Sequence, residues 1–340
     1  MKTDLKGIDT QKAHALDIFQ AGLTAVAPGS AVRKHCRRNG NRLTMGSEVY
    51  NLSGYKKILV VGGGKAGAAM AAEMEAILGN RISGGIVSVK YGHLAELNHI
   101  QIVEAGHPVP DRNGGKGALA ITAMAESATA DDLIICLISG GGSALMPLPA
   151  RGLSLADKQK TTGVLLACGA TIHEINTIRK HLSDIKGGML ARAASPATLV
   201  SLILSDVVGD DLDVIASGPC VPDSSTFADC MDIITGYGIE NRLPEAVTDR
   251  LKAGLSGQIT ETPKPGDPAF EKTHNLIIGR NMDAVTAAKS AAENLGYPTL
   301  ILSSMIEGET RDAAGFHSAI AREAVKTGNP MSPPLCILSG

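Results

Sequence analysis

The strongest constraint on the fold is a series of short, continuously apolar runs, each ending in a polar or glycine-rich loop. Residues 57–61 lead into GGGKAG and then the helical stretch AAMAAEMEAIL, and further runs occupy residues 85–89, 99–103, 132–138 and 198–204. A strand with one wet face alternates apolar and polar residues; one that is apolar throughout is covered on both faces, as in a parallel sheet with crossover helices above and below. The expected architecture is a doubly wound, Rossmann-like α/β domain. A helix over residues 10–26, with Leu16, Ile18, Phe19, Leu23 and Val26 near helical spacing, stops at Pro28-Gly29 and is expected to cap another element. Beyond the Pro/Gly/Thr-rich stretch TETPKPGDPAF, a second β-α-β pattern resumes with HNLIIG, an Ala-rich helix and TLILSS. The expected division is a sheet domain over 45–258, a linker over 259–270, and a second, smaller α/β domain from 1–44 with 271–340. The final PLCILSG has the pattern of a strand entering another glycine loop, so the chain is expected to be a fragment with that second lobe incomplete.

Composition excludes several classes. With 44% hydrophobic and 19% charged residues the chain is far from the disordered corner, and 32 basic against 34 acidic residues leave no basic excess to gather a nucleic acid. Cys36, Cys136, Cys168, Cys220, Cys230 and Cys336 show no C-x-x-C spacing, and no apolar run has the length of a signal peptide or membrane span. A cytoplasmic protein with no membrane partner is expected. Glycine is enriched, 39 of 340, while Trp is absent, which favours sites built from backbone.

Gly62, Gly64 and Gly67 satisfy G-x-G-x-x-G between a strand and a helix. A dinucleotide site would also place an acid at the end of the next strand for the ribose, but GGIVSV runs into Lys90-Tyr91-Gly92-His93. NADP is disfavoured rather than excluded by this. Gly62, Gly63 and Gly64 are read instead as an anion loop, with Lys65 as a fixed ammonium where amides favour negative charge. Ser139, Gly140, Gly141, Gly142 and Ser143 form a second loop after a strand, where several N–H groups can converge on a phosphate. It fails G-x-S-x-G because Leu145 stands at the last position, which argues against a hydrolase serine. HEINTIRKHLSDIKGG gathers Glu174, Arg179, Lys180, His181 and Lys186, and SDVVGDDLD places Asp206, Asp210, Asp211 and Asp213 after a strand, where Mg²⁺ can be held by carboxylates with phosphate and water. Together they ask for a phosphate-bearing ligand with a metal.

Six ordered motifs, KILVVGGGKAG, EAGHPVPD, LISGGGSAL, IHEINTIRKHLSDIKGG, SDVVGDDLDVIASGP and IIGRNMDAVTAAKSAAENLG, together resemble the class II glycerate kinases, in which a glycerate kinase domain is followed by a so-called MOFRL domain. The resemblance spans nearly the whole chain. It implies ATP- and Mg²⁺-dependent phosphorylation of D-glycerate to 2-phosphoglycerate in a cleft between two α/β domains. It matches Lys65 to a functional lysine, Ser139 to Ser143 to a phosphate-binding turn, Arg179, Lys180 and Lys186 to a basic segment, Asp206 and Asp210 to an acidic pair, and Asn281 to a polar residue on the second lobe. Chemistry assigns Lys65, Arg179 and Asp206 to catalysis, with Asp206 or a carboxylate beyond residue 340 orienting the hydroxyl, and Asp206 with Asp210 to the metal. In the family a strand like LCILSG continues into a segment with Arg and acidic residues that completes the site. Two alternatives stay open: an NAD(P)-dependent hydroxypyruvate reductase and a binding-only fragment. A homodimer is left open as well.

Overall fold

The computed structural model describes residues 5–340. Val32–Val207 with Asp211–Ile278 form one compact unit; a smaller one comprises the chain up to Ala31, Val208–Asp210 and Gly279–Gly340.

The larger unit is built on six strands: β1 (Lys57–Gly63), β2 (Gly84–Lys90), β3 (Ile100–Ala105), β4 (Asp132–Ser139), β5 (Thr198–Leu204) and β6 (Thr273–Gly279). Their order is β3-β2-β1-β4-β5-β6. The pairings from β3 to β5 are parallel, with Val61 opposite both Ile86 and Cys136. The unbroken apolar runs have the expected cause: all eight residues of β4 are buried. On β2 and β3 packs the helix Arg112–Glu126, started by Asp111, whose carboxylate accepts from the Gly114 amide at 2.9 Å. The order reverses between β1 and β4, the switch point at whose strand carboxyl ends open α/β sheets bind ligands.

The smaller unit pairs Thr299–Ser303 with Cys336–Ser339 in parallel beside the helices Leu5–Ala25, Asn281–Asn294 and Thr310–Thr327. The N-terminal helix does cover another element. Ile18 packs on Ala288 and Ala292, and Gly22 lets it approach the Ala284 carbonyl. Leu16, Phe19 and Leu23 are exposed, so only part of the apolar stripe is used.

Three boundaries differ from the sequence expectation. HNLIIG supplies β6 of the main sheet, with the Leu199 amide donating to the Lys272 carbonyl at 2.9 Å just before it. Residues 36–51 hold a three-stranded antiparallel meander of the larger unit, hidden in the sequence because its strands are four residues long and only one face is buried. The supposed linker is a strap on the larger unit: Thr262 and Ala269 are buried, Phe270 packs on the core, and the Asp223 amide donates to the Pro263 carbonyl at 2.8 Å. Proline and glycine there fit a path over a packed surface. Among the described residues no helix is long and apolar enough to cross a membrane.

Candidate functional site

Both glycine loops leave the sheet at the reversal point, and they are zipped together. The Lys65 amide donates to the Gly140 carbonyl at 2.9 Å, and the Ala66 amide to Ser139 Oγ at 3.0 Å. A Cβ on Gly62 would fall on the Leu137 carbonyl, and one on Gly64 on Ser139, each at positive φ. These glycines therefore serve the close approach of β1 to β4. The Gly64 amide donates to Ser88 and the Gly67 amide to Gly64, each at 3.0 Å. This corrects the expectation for Gly62, Gly63 and Gly64: all three are buried, the amides from Gly64 to Gly67 are already bonded, and the loop is no anion nest. What it presents is the exposed Lys65 side chain, its carbonyl accepting from His93 Nδ1 at 3.0 Å. Ser139 is buried, and its hydroxyl oxygen accepts from Ala66 inside the loop.

The second loop is different. Among the described residues the amides of Gly140, Gly141, Gly142 and Ser143 find no acceptor, while the Gly141 carbonyl already receives Ala144 and Leu145. Four successive donors are free, as an anion-binding turn requires. Around it stand three side chains. A Cβ on Gly140 would land on the Asp206 carboxylate; one on Gly141 would lie 2.8 Å from the His107 ring and 3.4 Å from Lys65 Cε. Asp206 is exposed, with no hydrogen-bond or ion-pair partner among the described residues. Burial, with Lys65 and Lys90 nearby, holds His107 below the ordinary histidine range against the opposing pull of Asp206. The imidazole is thus neutral near pH 7. The sequence marks His107 only by its place in EAGHPVPD, two residues after the end of β3.

The three cations expected to face the ligand separate into two groups. Lys180 is buried and bonded to Asp223 at 2.7 Å, with Asp213 at 3.4 Å. Lys186 is buried too and donates to the Ser143 carbonyl at 2.9 Å, Ser143 Oγ at 3.1 Å and the Ala216 carbonyl at 3.4 Å. Burial, then repulsion from Lys158 and Arg179, lowers its pKa well below the ordinary lysine value. Both are therefore corrected from ligand contacts to internal ties. Arg179 is half-buried and, among the described residues, has no hydrogen-bond or ion-pair partner.

From Lys186 a hydrogen-bond chain runs in one direction. Ser217 Oγ donates to Asn176 Oδ1 at 2.9 Å, so at the 2.6 Å contact between the two hydroxyls Ser143 must be the donor. Ser143 thus has no hydroxyl proton left for a phosphate, and it contributes its amide instead. Ala216 and Ser217 both hold positive φ, 54° and 60°, a costly conformation for residues with side chains. Asp210 and Asn281 lie in the smaller unit: Asp210 is 3.9 Å from Arg280, and Asn281 Nδ2 donates to the Ser304 carbonyl at 2.8 Å. No three His, Cys, Asp or Glu side chains converge to hold a metal among the described residues.

Residues 14–252 match a family described as a domain of unknown function, DUF4147. A glycerate 2-kinase from Pyrococcus horikoshii is 39% identical over 333 residues, covering 96% of this chain and 74% of that protein. The crystal structure of a glycerate kinase from Thermotoga maritima superposes with a TM-score of 0.83 at 36% identity, covering 98% of this chain and 74% of that one. The chain belongs to the glycerate kinase family. A further relative of this glycerate kinase homologue, a putative hydroxypyruvate reductase from Agrobacterium vitis, is 46% identical over 284 residues; the match covers 84% of this chain and 63% of that protein.

Proposed function

We propose that this chain transfers the γ-phosphoryl group of ATP to the 2-hydroxyl of D-glycerate, releasing 2-phosphoglycerate and ADP. One observation carries the proposal: the four free amides from Gly140 to Ser143 lie beside Lys65, His107 and Asp206 where the strand order reverses. Phosphoryl transfer needs mainly positioning and charge stabilisation. The amides cradle phosphate oxygens, and Lys65 neutralises the charge that spreads over them in the transition state. The 2-hydroxyl oxygen bonds to the γ-phosphorus as the bond to the ADP oxygen breaks, and the hydroxyl proton passes to neutral His107. Asp206 offers free, hard oxygen atoms of the kind Mg²⁺ takes together with phosphate oxygens. When bound, the ion supplies further neutralisation of the phosphates. Asp206 is then the metal ligand, which leaves the proton to the imidazole.

The reductase alternative is weaker on two grounds. The amides of the G-x-G-x-x-G loop from Gly64 onward are bonded internally, leaving few donors for a pyrophosphate, and β2 ends at Lys90 with no acid for a ribose. With D-glycerate, ATP and Mg²⁺, coupled detection should show ADP and 2-phosphoglycerate formed one for one, and EDTA should stop both. Consumption of NADH with hydroxypyruvate, and no ADP, would overturn the proposal.

A further inference from the structure

The helix Ile172–His181 carries two side chains with hydrogen-bond donors that no acceptor meets among the described residues. Asn176 is 3% exposed, yet among the described residues its Nδ2 has no partner. Arg179, one turn on and so on the same face, is half-buried, and among the described residues no acceptor meets its guanidinium. A buried donor left unpaired carries the cost of its own desolvation, and a native structure that has one is expected to satisfy it with something. The neighbouring cations do not share the deficiency: Lys180 has Asp223 and Lys186 has two carbonyls.

The orientation of Asn176 is not accidental. Ser217 Oγ donates to Asn176 Oδ1, and behind Ser217 stand Ser143 and the buried Lys186, which holds Ser143 Oγ at 3.1 Å. With its oxygen engaged, the carboxamide can offer a ligand only its NH₂. The Ser217 hydroxyl thus fixes which end of Asn176 is free.

We propose that Arg179 and Asn176 Nδ2 bind the carboxylate of the acceptor substrate, and so select a 2-hydroxy acid over a simple alcohol. The inference rests on the kinase function proposed above and adds the group that recognises the acid. Two kinds of anion have to be held, and the two donor sets differ accordingly. The amide cradle with the point charge of Lys65 suits a tetrahedral phosphoryl group, whereas a planar guanidinium beside a planar amide suits the two coplanar oxygens of a carboxylate. Lys158 and Lys186, both buried, lie close enough to Arg179 to repel it, with Asp184 as the carboxylate acting on Lys158, so the surroundings favour an incoming negative charge.

The test uses Asn176→Asp, which keeps the acceptor for Ser217 but replaces the free donor with a charge repelling carboxylate, and Arg179→Met, which keeps the bulk. Calorimetric titration with D-glycerate should show affinity falling about 10- to 100-fold in each, while ATP affinity is unchanged. Arg179→Lys should recover part of the loss. In turnover, the preference for D-glycerate over glycerol should shrink in the same variants. The inference is overturned if ATP affinity falls instead, since the pair would then hold phosphate, or if D-glycerate binds both variants as it binds the wild type. Failure of the kinase function appears separately, as wild-type protein that binds D-glycerate without releasing ADP.

Discussion

Lys65→Ala is expected to lower kcat by about 10²- to 10³-fold, the usual cost of removing one preorganised group that meets charge developing in the transition state. The side chain is exposed, and its ammonium has no partner among the described residues, so it does little for the fold. Its backbone holds the loop through the Gly140 carbonyl and His93, and both bonds survive the substitution. Unfolding free energy should therefore stay within about 0.5 kcal/mol of wild type. The Michaelis constant for ATP should rise less than kcat falls, because the amides of Gly140 to Ser143 still hold the ground-state phosphates. Lys65→Arg, with charge kept but a different head group, should fall between the two. Turnover intact in Lys65→Ala would remove the lysine from the chemistry and leave the cradle to act alone.

Much of the sheet was legible because buried parallel strands write themselves as unbroken apolar runs. All five runs became strands, ending within two residues of their expected bounds. HNLIIG shows why sheet membership was not legible: the sequence marks a strand, but only pairing decides which sheet receives it. The site was partly legible for a similar reason. Lys65 and the second loop are where glycine patterning put them, yet glycines required by a close backbone approach look the same in sequence as glycines that free their amides for a ligand. Gly62 and Gly64 are of the first kind, Gly140 and Gly141 of the second. Three cations within eight residues also read alike. What separates Arg179 from Lys180 and Lys186 is the supply of acceptors at Asp223 and Ala216, thirty residues or more along the chain.

That separation makes opposite predictions for neighbouring residues, and Lys180→Met gives the sharpest contrast. Asp223 is fully buried and accepts from the Ser225 amide at 3.0 Å, the Ser225 hydroxyl at 2.6 Å and Thr262 Oγ1 at 2.8 Å, with Lys180 as its closest cation at 2.7 Å. Removing one member of a buried pair strands the other charge, at a cost of about 3–5 kcal/mol. Denaturant unfolding of Lys180→Met should show a loss of that size, and adding Asp223→Asn should restore part of it, since the stranded charge is gone. The pH dependence follows the same logic. Burial opposes ionisation of Asp223, but Lys180, Ser225 and the nearby His181 outweigh it and hold the carboxyl below its usual range. A depressed carboxyl contributes stability that is fully present above the ordinary value of about 4 and is lost as pH falls through the lower folded value. Wild-type protein should therefore lose stability below pH of about 4, and Lys180→Met should lose less over that interval because its carboxyl is no longer depressed by an ammonium. At temperatures where the variant is folded, it should bind ATP as wild type does. Weakened ATP binding with unchanged unfolding would return Lys180 to the ligand and make Asp223 its tether.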